Sequence, residues 1–392
     1  MVLDSFSILA LFGITIVVGY VGYLFFDKTR IPDVFWLMLF GILVGPVFNL
    51  VDRALFMVIS PFLAALALLI ILFDAGINMD FYQMIRCFPR SILIAVVGTA
   101  LSAIAVAAVA YYFIQLPMLY SLLLGIMVGS TSSEIVTTIV KRLKVREQPK
   151  MVVILESIIT DPLVIVVSIV ILNVIAQTGV QMSPLQSVLS TFSIGAVIGL
   201  ISGVLWLFVM DKLKGRPFDY MITLAVLFLV YVFVESSAGS GAIAALAFGI
   251  VLGNGKAFST MLKTKKHFGF NKMQRTFQNE VSFFIRAFFF VYMGIIVSIN
   301  TTYIVYGLAA AAALIIVRLV VVQISTYGMN LTRTEKNMMR TIVPRGLAVA
   351  VLAQLPVVYG IPNASIFMDL AFIIIIATVL YTTITSRFVY RN

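Results

Sequence analysis

Long apolar runs separated by short polar connections make up most of the chain. A membrane helix needs about 20 apolar residues, whereas a transmembrane β-barrel shows ~10-residue segments of alternating polarity. The pattern therefore predicts an all-α membrane protein. It predicts about thirteen transmembrane helices, at 5–26, 34–51, 54–78, 91–115, 118–140, 150–176, 184–210, 218–235, 240–254, 278–299, 302–327, 337–359 and 363–386.

Composition agrees with a membrane protein and limits its chemistry. Of 392 residues, 62% are hydrophobic and 11% are charged, and no soluble domain has this balance. The connections are short, so we expect one membrane domain without a soluble module. A single cysteine, Cys87, excludes a disulfide within the chain, and the single histidine, His267, lies in a basic connection. We therefore expect a protein that is not an enzyme and has no cofactor.

The net charge of +11 could indicate a nucleic-acid-binding protein, but the positions of the basic residues indicate a membrane topology instead. Of the 27 Lys and Arg residues, 23 fall on one side of the predicted spans, one (Arg53) falls on the other, and three lie within spans. Cytoplasmic connections carry the excess of Lys and Arg. The N-terminus is therefore predicted outside and the C-terminus in the cytoplasm, in the inner or plasma membrane. We expect contact with membrane lipids and no nucleic-acid partner.

Two spans contain residues that interrupt a membrane helix. The fifth has a polar stretch at 125–134, and the twelfth contains Pro344-Arg345-Gly346. If a linking helix at 184–210 separates repeats at 5–176 and 218–386, the second repeat is inverted and each break falls in the fifth helix of its repeat. Paired breaks at corresponding positions indicate the midplane site of a secondary transporter.

Two carboxylates lie near the centre of the sixth span. A charged side chain at this depth costs ~2.5–3.5 kcal/mol on insertion scales and usually faces a partner or a water-filled cavity. Glu156 and Asp161 are five residues apart, so they project from neighbouring faces of the helix. One face can pair with an arginine while the other faces an ion pathway. Arg318, enclosed by aliphatic residues, most needs a buried carboxylate.

Asp161 can hold a proton or help to coordinate a small cation. Sodium and potassium prefer oxygen ligands, and candidates besides Asp161 are backbone carbonyls freed by the first break. Other candidate ligands are the hydroxyl groups of Thr131, Ser132, Ser157 and Thr160. A carboxylate tuned in this way couples movement of a proton to movement of Na⁺ or K⁺. In the alternative, Asp161 only hydrogen-bonds Thr131 or Ser132 across two helices.

Several motifs resemble sodium/proton antiporters of the NhaP type, in the monovalent cation:proton antiporter superfamily. The sequence at 156–162, Glu-Ser-Ile-Ile-Thr-Asp-Pro, is similar to the family's E-S-x-x-N-D-P motif. Further matches, in the family's order, are 28–33 with 41–46, 72–76, and the P-R-G element at 344–346. The resemblance covers nearly the whole chain.

The resemblance implies an NhaA-like antiporter fold with inverted six-helix repeats, two crossing broken helices, a core and a dimerisation subdomain. It implies that Asp161 binds the transported ion, Na⁺ or K⁺, and that the chain forms a homodimer important for pH homeostasis. Glu156 and Arg318 match the family's structural ion pair. Thr131, Ser132 and Ser157 match its ion-coordinating positions.

The sequence departs from this pattern in the first broken helix. The family's T-D-P is Thr131-Ser132-Ser133 here, and this hydroxyl-rich form is similar to potassium-efflux relatives of the Kef type. With one aspartate fewer, one titrating acid remains, which predicts one proton per cation and therefore electroneutral exchange.

Four charged residues inside spans are candidate accessory groups. We expect Asp74 to pair with Arg286, with separate solvated roles for the two residues as the alternative. Glu134 is expected to line a funnel or make a structural hydrogen bond, and Arg345 to neutralise helix-end carbonyls or an acid. The chain is thus interpreted as an alternating-access cation/proton antiporter. The alternatives are a passive cation channel and a sodium-coupled solute carrier, which share helical breaks but not a one-acid exchange cycle.

Overall fold

The structure is a computed structural model of the 392-residue chain. All regular structure in the described residues is helical. The described residues are 5–29, 31–51, 53–79, 81–140, 143–176, 184–213, 218–261, 272–298 and 300–389.

Seventeen helices are defined within these residues. Two of them, Asp33–Ile42 and Phe81–Val109, continue as π-helical turns over Leu43–Val47 and Ala110–Ile114, respectively. The helices are α1 Ser5–Thr29, α2 Asp33–Ile42, α3 Arg53–Asn78, α4 Phe81–Val109, α5 Met118–Met127, α6 Ser133–Val140, α7 Glu147–Ile175, α8 Pro184–Leu213, α9 Asp219–Ser236, α10 Gly241–Gly253, α11 Gly255–Met261, α12 Lys272–Ile296, α13 Thr301–Ser325, α14 Arg333–Thr341, α15 Leu347–Leu352, α16 Leu355–Val358 and α17 Ser365–Val389.

The helices fit a protein that crosses the membrane many times. Among the described residues, eight helices are long and apolar enough to span a bilayer, and five shorter apolar segments accompany them. Many large apolar side chains are exposed, such as Val58 at 80% and Tyr112 at 74%. These side chains suit contact with lipid rather than water. The prediction of an all-α, multi-pass membrane protein is confirmed, while the count of thirteen crossings stays a prediction.

Both predicted helix breaks are present. The fifth predicted span, which is the first broken one, is interrupted between the end of α5 at Met127 and the start of α6 at Ser133. The second is interrupted between α14, which ends at Thr341, and α15, which begins at Leu347. Pro344 lies in the second break, where its missing N–H cannot continue a helical ladder. The breaks leave backbone groups of both spans available for other contacts.

The chain divides into two compact units. The first consists of Met1–Ala64, Cys87–Thr178 and Arg286–Asn392, and the second of Ala65–Arg86 and Gly179–Ile285. These boundaries interleave along the chain. The repeat boundaries at 5–176, 184–210 and 218–386 stay predictions, as do the core and dimerisation roles.

In the second unit, small residues let helices approach closely. Three glycines spaced four apart on α8, at 195, 199 and 203, face α10, where a side chain on Gly199 would meet the backbone of Ala244 at 2.7 Å. Gly76 of α3 faces Gly249 of α10 in the same way. Such small-residue faces are a usual means of packing membrane helices, because lipid provides no hydrophobic drive between them. Phe73 and Phe248 fill the adjoining core.

The first unit contains α7 in a central position. This helix packs against both halves of the first broken span, α5 and α6, and against α14 and α15 of the second. Gly125 of α5 lies directly against the backbone of Ala103 in α4, so any side chain there would separate the two helices. The polar residues near the middle of α7 therefore lie beside both breaks.

Candidate ion-binding site

The two breaks meet through their backbones. Ser132 N–H donates a hydrogen bond to the carbonyl oxygen of Pro344, at 2.8 Å. Gly346 lies against the side chain of Ser132, and a Cβ atom at position 346 would approach Ser132 Cβ to 2.6 Å. The close approach explains the need for glycine here. The unwound segments of the two broken spans thus form one crossing.

Glu156 is fully paired at this crossing. Both of its carboxylate oxygens accept hydrogen bonds from Arg318, each at 2.8 Å. Arg318 Nε donates to the carbonyl oxygen of Met339, and Thr131 Oγ1 donates to Glu156 Oε1 at 3.1 Å. Glu156 is 2% exposed and Arg318 is 6% exposed. The bidentate geometry compensates both charges where water is excluded.

Arg345 lies in the second break and donates hydrogen bonds to residues of the first break. Its Nη1 donates to the carbonyl oxygen of Ser130 and to Thr131 Oγ1. Its backbone N–H donates to Thr378 Oγ1 of α17 at 3.1 Å. The guanidinium is buried, so it places a positive charge beside the carbonyl groups that the break leaves outside a helix.

Asp161 differs from Glu156 in having a free oxygen. Its Oδ2 accepts a hydrogen bond from Ser133 Oγ at 3.2 Å, and its Oδ1 makes no hydrogen bond to any described residue. Ser130 Oγ also faces this carboxylate and is likewise buried without a hydrogen bond there. Asp161 is 5% exposed. Glu134 and Arg345 are charged groups near this carboxylate.

Three of the predicted ion-coordinating hydroxyl groups make hydrogen bonds to groups other than Asp161. Thr160 Oγ1 accepts from Thr131 N–H at 3.2 Å and donates to the Ser157 carbonyl oxygen, so these residues connect to Glu156. Ser157 Oγ donates to the carbonyl oxygen of Ile154 on its own helix. Their role in coordinating the ion stays a prediction.

A small cavity lined by both polar and apolar residues opens beside the Glu156–Arg318 pair. Its lining includes Thr99 and Ser102 of α4 and Thr160 of α7. Thr99 Oγ1 is buried without a hydrogen bond to a described residue. No group of three or more His, Cys, Asp or Glu side chains suited to hold a metal ion occurs in the described part of the chain.

Arg286 joins two acidic side chains in the first unit. Its guanidinium lies 2.7 Å from Glu134 and 3.3 Å from Asp33. Sequence reasoning did not anticipate either contact. Asp74 belongs to the second unit, where its carboxylate accepts a hydrogen bond from Gln278. The predicted pair between Asp74 and Arg286 stays a prediction.

A second fully paired glutamate, Glu335, lies in the first turn of α14, outside the predicted spans. Thr332 and Glu335 form a capping box, and Arg146 donates to both Glu335 oxygens at 2.6 Å. Arg146 also donates to the carbonyl oxygen of Asn330. Hydrogen bonding by Arg146 lowers the pKa of Glu335 to about 2 and raises the pKa of Arg146. The pair joins the start of α7 to α14.

Two residues near Asp161, Ser130 and Ser133, escaped the sequence prediction. The available signal was the unusual run of hydroxyl residues at 130–133. Helical periodicity could not tell which hydroxyl faces Asp161, because the backbone is not helical between Met127 and Ser133.

The chain matches a known protein family over nearly its full length. The family described as "Sodium/hydrogen exchanger, transmembrane" matches residues 13–391. The chain belongs to this family. The predicted resemblance to NhaP-type antiporters is therefore confirmed at the level of the family.

Two relatives show how far the sequence similarity extends. The K(+)/H(+) antiporter NhaP of Alkalimonas amylolytica is 24% identical over 326 residues, which are 81% of this chain and 55% of that protein. The probable Na(+)/H(+) antiporter 2 of Methanocaldococcus jannaschii is 25% identical over 305 residues, 73% of this chain and 71% of that protein. The chain thus spans little more than half the length of the first relative.

The fold matches a solved structure of the exchanger type over nearly its full length. The sodium proton antiporter MjNhaP1 of Methanocaldococcus jannaschii superposes with a TM-score of 0.81 at 19% identity. The match covers 97% of this chain and 100% of that one. The predicted antiporter fold is confirmed.

Proposed function

We propose that the chain exchanges a monovalent cation, Na⁺ or K⁺, for H⁺ by binding them in turn at Asp161. The observation that carries this proposal is a buried carboxylate at the crossing of two broken helices, with one oxygen that no described residue hydrogen-bonds. A carboxylate held away from water must find a proton or a cation to compensate its charge. Competition between the two at one group is the minimum requirement for exchange.

Glu156 supports this assignment by contrast. Arg318 already compensates its charge through two hydrogen bonds, so a proton or cation binding there would leave Arg318 unpaired. A buried arginine without a partner is strongly unfavourable. Glu156 is therefore a structural residue in our proposal, and Asp161 is the residue that changes its partner.

The stoichiometry follows from the number of acids at the crossing. With one acid that binds one proton or one cation, each cycle moves equal charge in both directions and generates no membrane potential. The names of the relatives include both K⁺/H⁺ and Na⁺/H⁺ antiporters, so both cations belong in the test. We propose alternating access around the crossing, which is the usual mechanism where paired broken helices enclose a midplane site.

The remaining roles complete the proposal. Arg345 and Ser132 hold the crossing, and Glu134 and Arg286 form the neighbouring charged pair. We propose a homodimer in the inner or plasma membrane, with the N-terminus outside and the C-terminus in the cytoplasm as the distribution of Lys and Arg indicates. The chain is a transporter rather than an enzyme and needs no cofactor.

Exchange in proteoliposomes tests the proposal. Imposed gradients of Na⁺, K⁺ or Li⁺ should drive proton movement, read by a pH-sensitive dye inside the vesicles, while a voltage-sensitive dye stays unchanged. Asp161→Asn should reduce exchange to the level of empty vesicles while the protein remains folded, because the amide cannot titrate. Ordinary turnover by this variant would refute the assignment of Asp161. A voltage change that follows turnover would refute the one-to-one stoichiometry.

A further inference from the structure

The carboxylate of Asp161 faces two hydroxyl groups that neither the resemblance nor any relative's name assigns to the ion. Ser133 Oγ lies 3.2 Å from Asp161 Oδ2, at the first residue of α6. Ser130 comes from the unwound segment before it, and its hydroxyl faces the same carboxylate. Both side chains thus approach Asp161 from one broken span.

A second observation is that one oxygen of Asp161 and the oxygen of Ser130 lack hydrogen bonds to described residues. Asp161 Oδ1 and Ser130 Oγ are both buried, and neither makes a hydrogen bond within the described residues. Ser130 is 1% exposed and Asp161 is 5% exposed. A buried polar atom without a partner costs about 1–3 kcal/mol, so native proteins retain few of them without a functional reason.

Three other hydroxyl groups near the crossing are already engaged. Thr131 donates to Glu156, Thr160 donates to a carbonyl oxygen, and Ser157 donates to Ile154. The donors of these groups are used to hold the break and the Glu156–Arg318 pair. Ser130 and Ser133 are the hydroxyl groups whose geometry is directed at Asp161 instead.

We propose that Ser130 and Ser133 are ligands of the transported cation, with Asp161, and help to set its selectivity. Three oxygens, one of them charged, then contact the cation on the side of the first break, and oxygen is the ligand that hard cations prefer. This inference rests on the proposed function of Asp161 and deepens it.

The same hydroxyl groups also satisfy the protonated state. A serine hydroxyl rotates freely and can donate or accept a hydrogen bond. When Asp161 carries a proton, its O–H donates to Ser130 Oγ, while Ser133 continues to donate to Oδ2. When the cation binds, the proton leaves, and both hydroxyl groups turn a lone pair toward the cation. Neither state leaves the Asp161 carboxyl without partners.

Alanine substitutions test the two ligands separately. Ser130→Ala and Ser133→Ala each remove one oxygen, so we expect the cation concentration for half-maximal exchange to rise roughly three- to tenfold. The ratio of the values for Na⁺, K⁺ and Li⁺ should change as well, because the three ions differ in size. Ser133→Thr retains the hydroxyl and should remain close to wild type. Ser168→Ala is the matched control, since Ser168 lies on α7, is buried and lacks a hydrogen bond among the described residues.

A second readout separates binding from transport. Cation-dependent thermal stabilisation of the purified protein in detergent, measured with Na⁺, K⁺ and Li⁺, should weaken in both alanine variants and persist in Ser168→Ala. If Ser133→Ala does not fold, Ser130→Ala carries the test, because it removes no hydrogen bond present in the structure.

The outcomes distinguish the two proposals. If both alanine variants match wild type in half-saturation and in thermal stabilisation while Asp161→Asn loses both, the serines are not ligands, although Asp161 still exchanges ions. If cations stabilise the protein through Ser130 and Ser133 but exchange is absent, the site stands and the exchange function falls. If no cation stabilises or crosses with the wild-type protein, both proposals fall.

Discussion

Glu156 and Asp161 lie five residues apart on one helix, yet their surroundings are opposite. Glu156 has two hydrogen bonds from Arg318 and a third from Thr131. Among the described residues, Asp161 accepts one hydrogen bond, from Ser133, and its other oxygen has no hydrogen-bond partner. The two side chains cost about the same to place in a membrane. In our proposal, therefore, the fold compensates the charge of Glu156, whereas a proton or a cation compensates the charge of Asp161.

The largest expected effect is on the stability of the protein when the ion pair of Glu156 and Arg318 is broken. Glu156→Gln or Arg318→Gln alone should lower the free energy of unfolding by about 3–5 kcal/mol, because each leaves a buried charge without its partner. The double variant should lose less than the sum of the two single losses. Thermal melts in detergent measure the three values. Additive losses would show that the two residues are not coupled and would remove the basis for treating Glu156 as structural.

A smaller effect is expected where the two breaks cross. Gly346→Ala should destabilise the protein by about 1–3 kcal/mol, since the new Cβ would lie 2.6 Å from Ser132 Cβ and the backbones would have to separate. Gly98→Ala on α4 is the matched control, because its Cβ would meet only Val321 at an ordinary 3.5 Å. A melt of Gly346→Ala equal to that of Gly98→Ala would contradict the close crossing on which both carboxylate environments depend.

The smallest effect extends the comparison to Glu335, a paired glutamate near water. Arg146 lowers the pKa of Glu335 from 4.5 to about 2. A carboxyl group with a lowered folded-state pKa contributes stability that is complete above its unfolded-state pKa, and it loses that stability as the pH falls toward the folded-state value. The melting temperature of wild type should therefore exceed that of Glu335→Gln at neutral pH.

This difference should disappear between about pH 4.5 and pH 2, because the unfolded chain and then the folded protein take up a proton at Glu335. Glu147→Gln is the control. Its partner is Lys150 and its side chain is 80% exposed, and exposed pairs contribute little to stability. A Glu335→Gln difference that stays constant over this pH range would argue against an ion-paired Glu335.

Much of the fold could be predicted because it depends on simple rules. Apolar length predicts the helices, and the Gly- and Ser-rich stretch and Pro344 predict the breaks between α5 and α6 and between α14 and α15. The need of a buried guanidinium for an acid indicated a partner for Arg318, and the motif resemblance identified Glu156 as that partner.

The contacts that could not be predicted depend on non-helical backbone at the breaks and on the packing of helices that are distant in sequence. Ser130 and Ser133 face Asp161 only because the chain unwinds after Met127, and Arg286 reaches Asp33 across more than 250 residues of sequence. Helical spacing assigns faces within one helix, but it does not place residues of a break or of distant helices. Thr131 and Thr160, candidate ion ligands from the sequence, also form part of the hydrogen-bond network around Glu156, and their role in coordinating the ion stays a prediction.

Proton release on cation binding provides the most direct test of the proposed role of Asp161. Addition of Na⁺ or K⁺ to weakly buffered, purified protein should release a proton for each cation bound, up to about one per chain when Asp161 is protonated beforehand. Asp161→Asn should release none. The Glu156→Gln, Arg318→Gln double variant, if folded, should release as many protons as wild type. Equal release from Asp161→Asn and wild type, or its loss in the folded double variant alone, would contradict the assignment of exchange to Asp161 and of structure to Glu156.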